Sequence, residues 1–377
     1  MEAMNRQANP RNARRISRRD FLKAAGAVGV AGSTLSVLSA CTVSTAPQEG
    51  GGGGNGGDGN LNLYNWSDYV AEGTLPGFED EFGVEVTQDF FASNEELLAK
   101  LQGGGSGYDV IVPSDYMVTI MQKSDLLQEL DRSKIPNFEN LGENFRGLPY
   151  DPDNSYSVPY LWGTTGLVYN TREVEPVTDW SILWDERYGG QIAMLDDVRE
   201  AMGAVLMWLG YSINSTNQRE LEEAKQILID QKPLARGYFA STEVRPLVQN
   251  GDALIGHVYS GDGILAQIEN PELEYVIPRR GATRWTDNMC IPASASNPDL
   301  AHEFINYILD PEVNAELTNY VYYGTPNEAA LPMVDEELTS IPTYTPSDEV
   351  FERLQIIEDV GETTREYERI FTEIKSA

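Results

Sequence analysis

Cysteine and histidine are almost missing from this chain. Cys41 and Cys290 are the only cysteines and His257 and His302 the only histidines. With one cysteine near the N-terminus and the other in the apolar run Met289-Cys290-Ile291, no disulfide framework and no cysteine-rich metal site can be assembled. The histidines lie far apart and neither belongs to an HExxH pattern. Basic residues are also scarce: 27 Lys and Arg stand against 59 Asp and Glu, a field that excludes nucleic acid as a partner. No nucleophile elbow and no nucleotide fingerprint occurs. Gly103-Gly104-Gly105-Ser106-Gly107 lacks the Lys-Ser/Thr that a phosphate loop needs, and it precedes an apolar run instead of following one. The sequence thus offers no catalytic mechanism and no cofactor, and we expect a protein that is not an enzyme.

What is present begins with targeting. Ser17-Arg18-Arg19-Asp20-Phe21-Leu22-Lys23 leads into a weakly hydrophobic, Ala- and Gly-rich run, Ala24 to Ala40, which ends at Leu38-Ser39-Ala40-Cys41. The pattern resembles a twin-arginine export signal, marked by Arg18 and Arg19, closed by a lipoprotein cleavage site. It makes residues 1–41 a signal and Cys41 the lipidated residue. It places the protein at the extracellular face of the cell membrane. An uncleaved anchor is the competing reading, because about 17 apolar residues approach the lower limit for a span. Residues 42–60 are Gly-rich and read as a flexible tether. Residues 1–41 hold seven of the basic residues and two of the acidic ones, so the remainder carries 20 against 57, a formal charge of −37. Acids spread this evenly suit solvation in molar salt and suggest a halophile. There the Debye length is about 3 Å, long-range steering fails, and recognition has to occur at contact range.

From residue 60 onward strand and helix signals alternate, which argues for an α/β fold with largely parallel pairing. Strands are expected at Leu61–Asn65, Val84–Phe91, Asp109–Pro113, Gln191–Leu195, Ala253–Tyr259, Glu274–Pro278 and around Met289–Ile291. Helices are expected from Ser93-Asn94-Glu95-Glu96, a capping-box pattern, at Val198–Leu209, Gln218–Asp230 and Pro298–Leu309. Stretches rich in Pro, Gly, Asn and Tyr near 147–166 and 321–332 read as loops crossing between two lobes. Open α/β sheets bind ligands beyond the carboxyl ends of their strands. There the chain places Trp66-Ser67-Asp68-Tyr69, Ser114-Asp115-Tyr116, Asp196-Asp197-Val198-Arg199-Glu200, Tyr259-Ser260-Gly261-Asp262 and Trp285-Thr286-Asp287. The recurring content is an aromatic ring with a carboxylate, which suits organic cations. Ring faces attract ammonium groups by about 0.5–2 kcal/mol each, carboxylates add charge-assisted hydrogen bonds, and rings cover methylenes.

Each motif also has a structural reading. Asp197-x-x-Glu200 is a helix capping box, and Trp66 and Tyr69 are candidates for core. Trp180 and Trp184 read as packing. Trp285 and Asp287 share one face of a strand, an unusual pair for a core.

Taken in order, LYNWSDYV, YDVIVPSDYMV, LDDVRE with LGYS downstream, RWTDNMCIP and YYGTPN, together with NFENL, PYDPDNSYSVPYLWGTT and SILWDERYGGQI, resemble the bacterial spermidine/putrescine-binding proteins of polyamine ABC transporters. The resemblance covers nearly the whole chain after the tether. It implies a two-lobed type II periplasmic-binding-protein fold, with lobes formed by 61–163 with 286–331 and by 164–285 with 332–377. It also implies a monomer that carries a polyamine to a membrane permease and its ATPase. Carried over residue by residue, the family's aromatic box falls on Trp66, Tyr69, Tyr116, Tyr259, Trp285 and Tyr323. Its carboxylates fall on Asp197, Glu200 and Asp287, and its hydroxyl contacts on Ser67 and Ser114. The chain departs from the family's pattern at Tyr259, often Trp, at Ser67, often Thr, and at Ile357, where a ligand-contacting Gln is expected. Asp262 is a possible extra carboxylate. Two other readings remain open: a receptor for iron or another cation, using Tyr322-Tyr323, and a polyamine sensor without transport.

Overall fold

A computed structural model describes residues 59–104 and 107–377. The export signal with Arg18, Arg19 and Cys41, and the tether up to residue 58, lie outside the described residues. Nine strands form one mixed sheet: β1 (Asn60–Trp66), β2 (Glu85–Phe91), β3 (Val110–Ile111), β4 (Ser157–Asn170), β5 (Ile192–Leu195), β6 (Ala235–Phe239), β7 (Ile255–Tyr259), β8 (Leu273–Val276) and β9 (Arg284–Cys290). Their order is β2-β1-β3-β9-β4-β7-β5-β6, with β8 also paired to β4. The pairs β1–β2, β1–β3, β5–β6 and β5–β7 are parallel. The pairs made by β9 with β3 and by β4 with β7, β8 and β9 are antiparallel. Pairing is therefore mixed, against the expectation of a largely parallel sheet.

The antiparallel centre comes from β4, which the sequence reading had assigned to a loop. Pro159, Gly163 and Gly166 suggested irregular chain, yet each has a place in the strand. Pro159 sits where the register with β9 shifts between Pro159 and Leu161, a bulge that tolerates a residue without an N–H. A Cβ on Gly163 would stand 2.5 Å from the Trp285 ring, and one on Gly166 2.4 Å from the Val276 carbonyl oxygen. At about 3.3 Å per residue, fourteen residues reach some 46 Å, enough to run through both halves of the molecule.

Those halves have separate apolar cores. One set is built from Leu61, Leu63, Phe78, Val110, Leu161, Met289, Phe304 and Ile305, with Tyr64, Leu97, Ile111, Met117 and Cys290 beside them. The other is built from Leu167, Trp180, Met194, Val205, Ile255 and Tyr367, with Val168, Ala193, Val258, Tyr275 and Tyr344. Leu61 and Leu63 alternate with Asn60 and Asn62 as a strand with one apolar face requires. The helix Thr364–Ser376 seals the second core through Tyr367, Ile370, Phe371 and Ile374, the i, i+3, i+4, i+7 stripe of an amphipathic helix. Trp180 is buried there and Trp184 stacks on Trp208 at 4.6 Å, as packing residues. No helix among the described residues is long and apolar enough to cross a membrane.

Candidate functional site

The register of the central strands places the first wall. Gly163 of β4 lies opposite Trp285 of β9, and Leu161 opposite Asp287. An isolated bridge joins Ser114 to Asp287. Asp287 is buried, with 6% of its surface exposed. Its Oδ1 accepts from the Ser114 hydroxyl at 2.6 Å and its Oδ2 from the Tyr69 hydroxyl at 2.8 Å. Burial pushes its carboxyl up to about 6, against these two hydrogen bonds that favour the charged form. Asn94 fixes Ser114 from both sides: its amide nitrogen donates to Ser114 Oγ at 3.0 Å and its oxygen accepts from Ser114 N at 3.1 Å. Tyr69 packs edge-on against Tyr160 and Tyr323, with ring centroids 5.4 and 5.5 Å away. Trp285 meets Tyr323 at 5.3 Å and Tyr259 at 5.7 Å, again edge to face. The Trp285 indole N–H is buried and has no acceptor among the described residues. Trp66, half-buried, stands at the end of β1, donates from Nε1 to the Val112 carbonyl at 2.9 Å and packs on Phe91.

The second wall begins at the helix Val198–Leu209. Asp197 caps it, accepting from the backbone N–H groups of Arg199 and Glu200 at 2.9 and 3.1 Å. Its second oxygen accepts from the Tyr259 hydroxyl at 3.2 Å. Glu200 does not close a capping box; it is buried and accepts from Thr165 Oγ1 at 2.9 Å. Burial and the neighbouring Asp197 raise its carboxyl well above the usual range. Asp197 thus caps the helix, while Glu200, expected to complete a capping box, turns to Thr165 instead. Tyr116 donates to Glu95 Oε1 at 3.1 Å, and its ring packs against the apolar side chains of both halves.

Ser67 is exposed beside Asp68, whose φ of 55° turns the chain out of β1, so it stands apart from the network around Asp287. Asp262 is buried, but it already faces Arg245 at 3.4 Å and accepts from the Tyr323 hydroxyl at 3.3 Å. Ile357 packs into the core of the second half. Tyr322 and Tyr323 diverge: Tyr322 has a left-handed backbone, φ 62°, and packs on the core of Val334 and Tyr344, whereas Tyr323 turns to Trp285 and Tyr69. They do not converge as a tyrosinate pair would require.

Three polar residues of the site were missed. Asn94 and Glu95 read as the start of a helix, and Asp115 passed as the residue between Ser114 and Tyr116. The Asp115 carboxylate is buried and accepts from Tyr116 N at 2.8 Å and Thr286 N at 3.3 Å, which ties the segment after β3 to β9. Burial pushes it up to about 8. The one available signal was the order Ser-Asp-Tyr at a strand end.

Residues 77–346 match the family described as bacterial extracellular solute-binding protein, and residues 15–34 match the twin-arginine translocation pathway signal sequence. The chain is similar to a putrescine/cadaverine-binding protein of Pseudomonas aeruginosa, 36% identical over 331 residues, covering 84% of this chain and 93% of that one. It is also similar to the spermidine/putrescine-binding periplasmic protein of Escherichia coli, 34% identical over 319 residues, covering 84% and 91%. Among solved structures, the spermidine/putrescine ABC transporter substrate-binding protein of Streptococcus pneumoniae superposes with a TM-score of 0.74 at 36% identity, covering 84% of this chain and 98% of that chain. The TpPotD lipoprotein of Treponema pallidum superposes with a TM-score of 0.78 at 32% identity, covering 84% and 100%.

Proposed function

The chain belongs to the bacterial extracellular solute-binding proteins and, within them, to the two-lobed spermidine/putrescine-binding group of ABC transporters, and from that membership we propose that it captures a linear polyamine between the walls of Asp287 and of Asp197 and Glu200. Members of this family bind and hand over solutes and are not enzymes. The observation that carries the reading is Asp287. It is a buried carboxylate whose hydrogen-bond donors are two neutral hydroxyls and not a Lys or Arg. An ammonium supplies the missing charge, and the Trp285, Tyr69 and Tyr323 rings supply a surface for methylenes at about 0.8 kcal/mol per buried CH2. Ser114 and Tyr69 orient the Asp287 oxygens; Asp197, Glu200 and Tyr259 hold the other end of the ligand; Trp66 and Tyr116 border the cleft, with Ser67 at its rim.

In this reading the lobes are 61–163 with 286–331 and 164–285 with 332–377, which agrees with the division of the apolar cores. Closure excludes water and strengthens the ion pairs through a lower effective dielectric. It also removes them from salt screening, which suits the molar-salt solvent that the acidic surface favours. The polyamine passes to a permease powered by its ATPase. Cys41 carries the lipid anchor and residues 42–60 tether a monomeric receptor to the membrane, a reading supported by the lipoprotein nature of the Treponema relative.

A tryptophan-fluorescence titration of the chain from residue 60 onward, in molar salt, tests the ligand. Spermidine or putrescine should give a saturable change, and a neutral diol of similar length none. Silence with both polyamines refutes the ligand assignment and leaves the fold intact. Mass spectrometry of the exported protein tests Cys41: a diacylglyceryl adduct is expected, and an unmodified or uncleaved N-terminus refutes the anchor.

A further inference from the structure

We propose that Glu95 is a further ligand-facing carboxylate, the residue that makes this cleft prefer a triamine to a diamine. The inference rests on the polyamine reading above. Glu95 opens the helix Asn94–Gln102, but the capping work there is done by others. Ser93 Oγ accepts from Glu96 N at 3.1 Å, and Glu96 accepts from Ala92 N at 2.8 Å. Glu95 is not needed as a cap, and its carboxylate accepts from the Tyr116 hydroxyl at 3.1 Å. Tyr116 lies at the seam, packed against both halves. Glu95 is half-buried, burial and then the charge of Asp197 in the opposite half raise its carboxyl, and among the described residues it makes no salt bridge. Two carboxylates brought together across a cleft without a cation repel, and burial makes the repulsion expensive.

The charge balance of the cleft gives Glu95 its meaning. Asp262 is offset by Arg245 at 3.4 Å, Asp359 by Lys123 at 2.7 Å, and Asp115 lies in the field of Arg284. Asp287, Asp197, Glu200 and Glu95 then stand against one guanidinium, that of Arg199. Its Nη atoms are spent on the Glu358 carbonyl at 3.0 Å and the Asn214 side chain at 2.7 Å. With all four carboxylates ionised, the state that bound ammonium groups favour, the formal remainder is −3. A diamine cancels two of these charges and leaves one carboxylate uncompensated, whereas a triamine cancels all three. Glu95 belongs to the same half as Asp287 but lies at the Tyr116 seam, in the field of Asp197, so the carboxylates group as one at the Asp287 end and three at the Asp197 end, and the extra ammonium belongs there. A polyamine with a secondary ammonium three methylenes from one terminus has that asymmetry; a symmetrical diamine does not.

The test compares wild type, Glu95→Gln and Tyr116→Phe by calorimetric titration with spermidine and with putrescine. Wild type should favour spermidine. Glu95→Gln should weaken spermidine by about tenfold or more, the loss of one charge-assisted hydrogen bond, and change putrescine by less than about threefold. Tyr116→Phe removes the hydroxyl that Glu95 holds but keeps the charge, so the preference for the triamine should survive it. Equal loss of both ligands in Glu95→Gln would mean a merely structural role and overturn the inference, as would no change in either. Wild type that binds neither polyamine overturns this inference together with the reading it rests on, whereas wild-type binding with an indifferent Glu95→Gln overturns this inference alone.

Discussion

Acidification from pH 7 to pH 5 should weaken polyamine binding by about tenfold or more, because Asp287 has to be charged to hold an ammonium. Burial raises the Asp287 carboxyl to about 6 despite the donors Ser114 and Tyr69. A ligand that binds only the ionised form has its dissociation constant multiplied by one plus the ratio of protonated to ionised acid. That factor is close to 1 at pH 7 and about 11 at pH 5. A surface carboxylate near its ordinary value would contribute almost nothing over the same range. Alkyl ammonium groups titrate near pH 10, so the ligand keeps its charge throughout. The Glu200 carboxyl is raised further, to about 8, by burial and by Asp197, so where the ligand needs it ionised it adds to the same loss throughout the range from pH 7 to pH 5. Affinity should therefore climb from pH 5 through neutrality, and Asp287→Asn should lose about tenfold of the climb between pH 5 and 7, the share due to Asp287. The assay is isothermal calorimetry at each pH, with circular dichroism to verify that the protein remains folded. An affinity constant within twofold from pH 7 to pH 5, on folded protein, would refute the assignment of Asp287 as the buried anion of the site.

Asp287→Asn at neutral pH should raise the dissociation constant by about 30-fold to several thousand-fold, the cost of truncating one partner of a buried ion pair, about 2–5 kcal/mol. Glu349→Gln, at an exposed acid, should stay within about twofold; comparable losses at both positions in the same titration would contradict the pocket. Gly163→Ala puts a Cβ 2.5 Å from the Trp285 ring and 2.7 Å from Ser260 Oγ, so it should cost about 1–3 kcal/mol of stability and displace the ring. Thermal melts and tryptophan spectra would register this, and an unchanged variant would show that the close approach has no consequence. His257 is buried on β7 with neither ring nitrogen hydrogen-bonded, and burial pushes it down to about 3. A base depressed in the folded state contributes stability above its unfolded value near 6.5 that is lost as pH falls towards 3, about 3 kcal/mol by pH 4.5. Asp287 and Asp115 have raised carboxyls and act in the opposite sense: their contribution is present below pH 4 and lost as pH rises through 6 and 8. The comparison that isolates the histidine is denaturant unfolding of wild type against His257→Leu. Their stability gap should shift in favour of the variant on acidification, and a gap independent of pH would contradict the buried-neutral assignment.

Those residues differ in how readily the sequence reveals them, and the difference is physical. β1 was legible because Leu61 and Leu63 alternate with polar residues, and the site could be sought just after it. The helix Val198–Leu209 was legible to the residue because Asp197 caps it and its apolar stripe is unbroken. Trp285 and Asp287 were legible as a pair because a strand repeats every two residues. In each case one local regularity carries the information. β4 had no such regularity. Its proline and glycines are poor strand formers by propensity, and what holds the strand is pairing with β7, β8 and β9, distant in sequence. Glu95 failed for the reverse reason: its local role as a helix-opening residue was plausible and complete, so nothing called for Tyr116 as a partner. The breakers in β4 are informative once the partners are known. A strand shared by two cores would gain from a β-branched residue at position 163, and the Trp285 ring and the Ser260 hydroxyl stand in its way. The local rule is violated where the Trp285 ring passes over Gly163, so in this chain a residue poor at forming strands marks one wall of the candidate site.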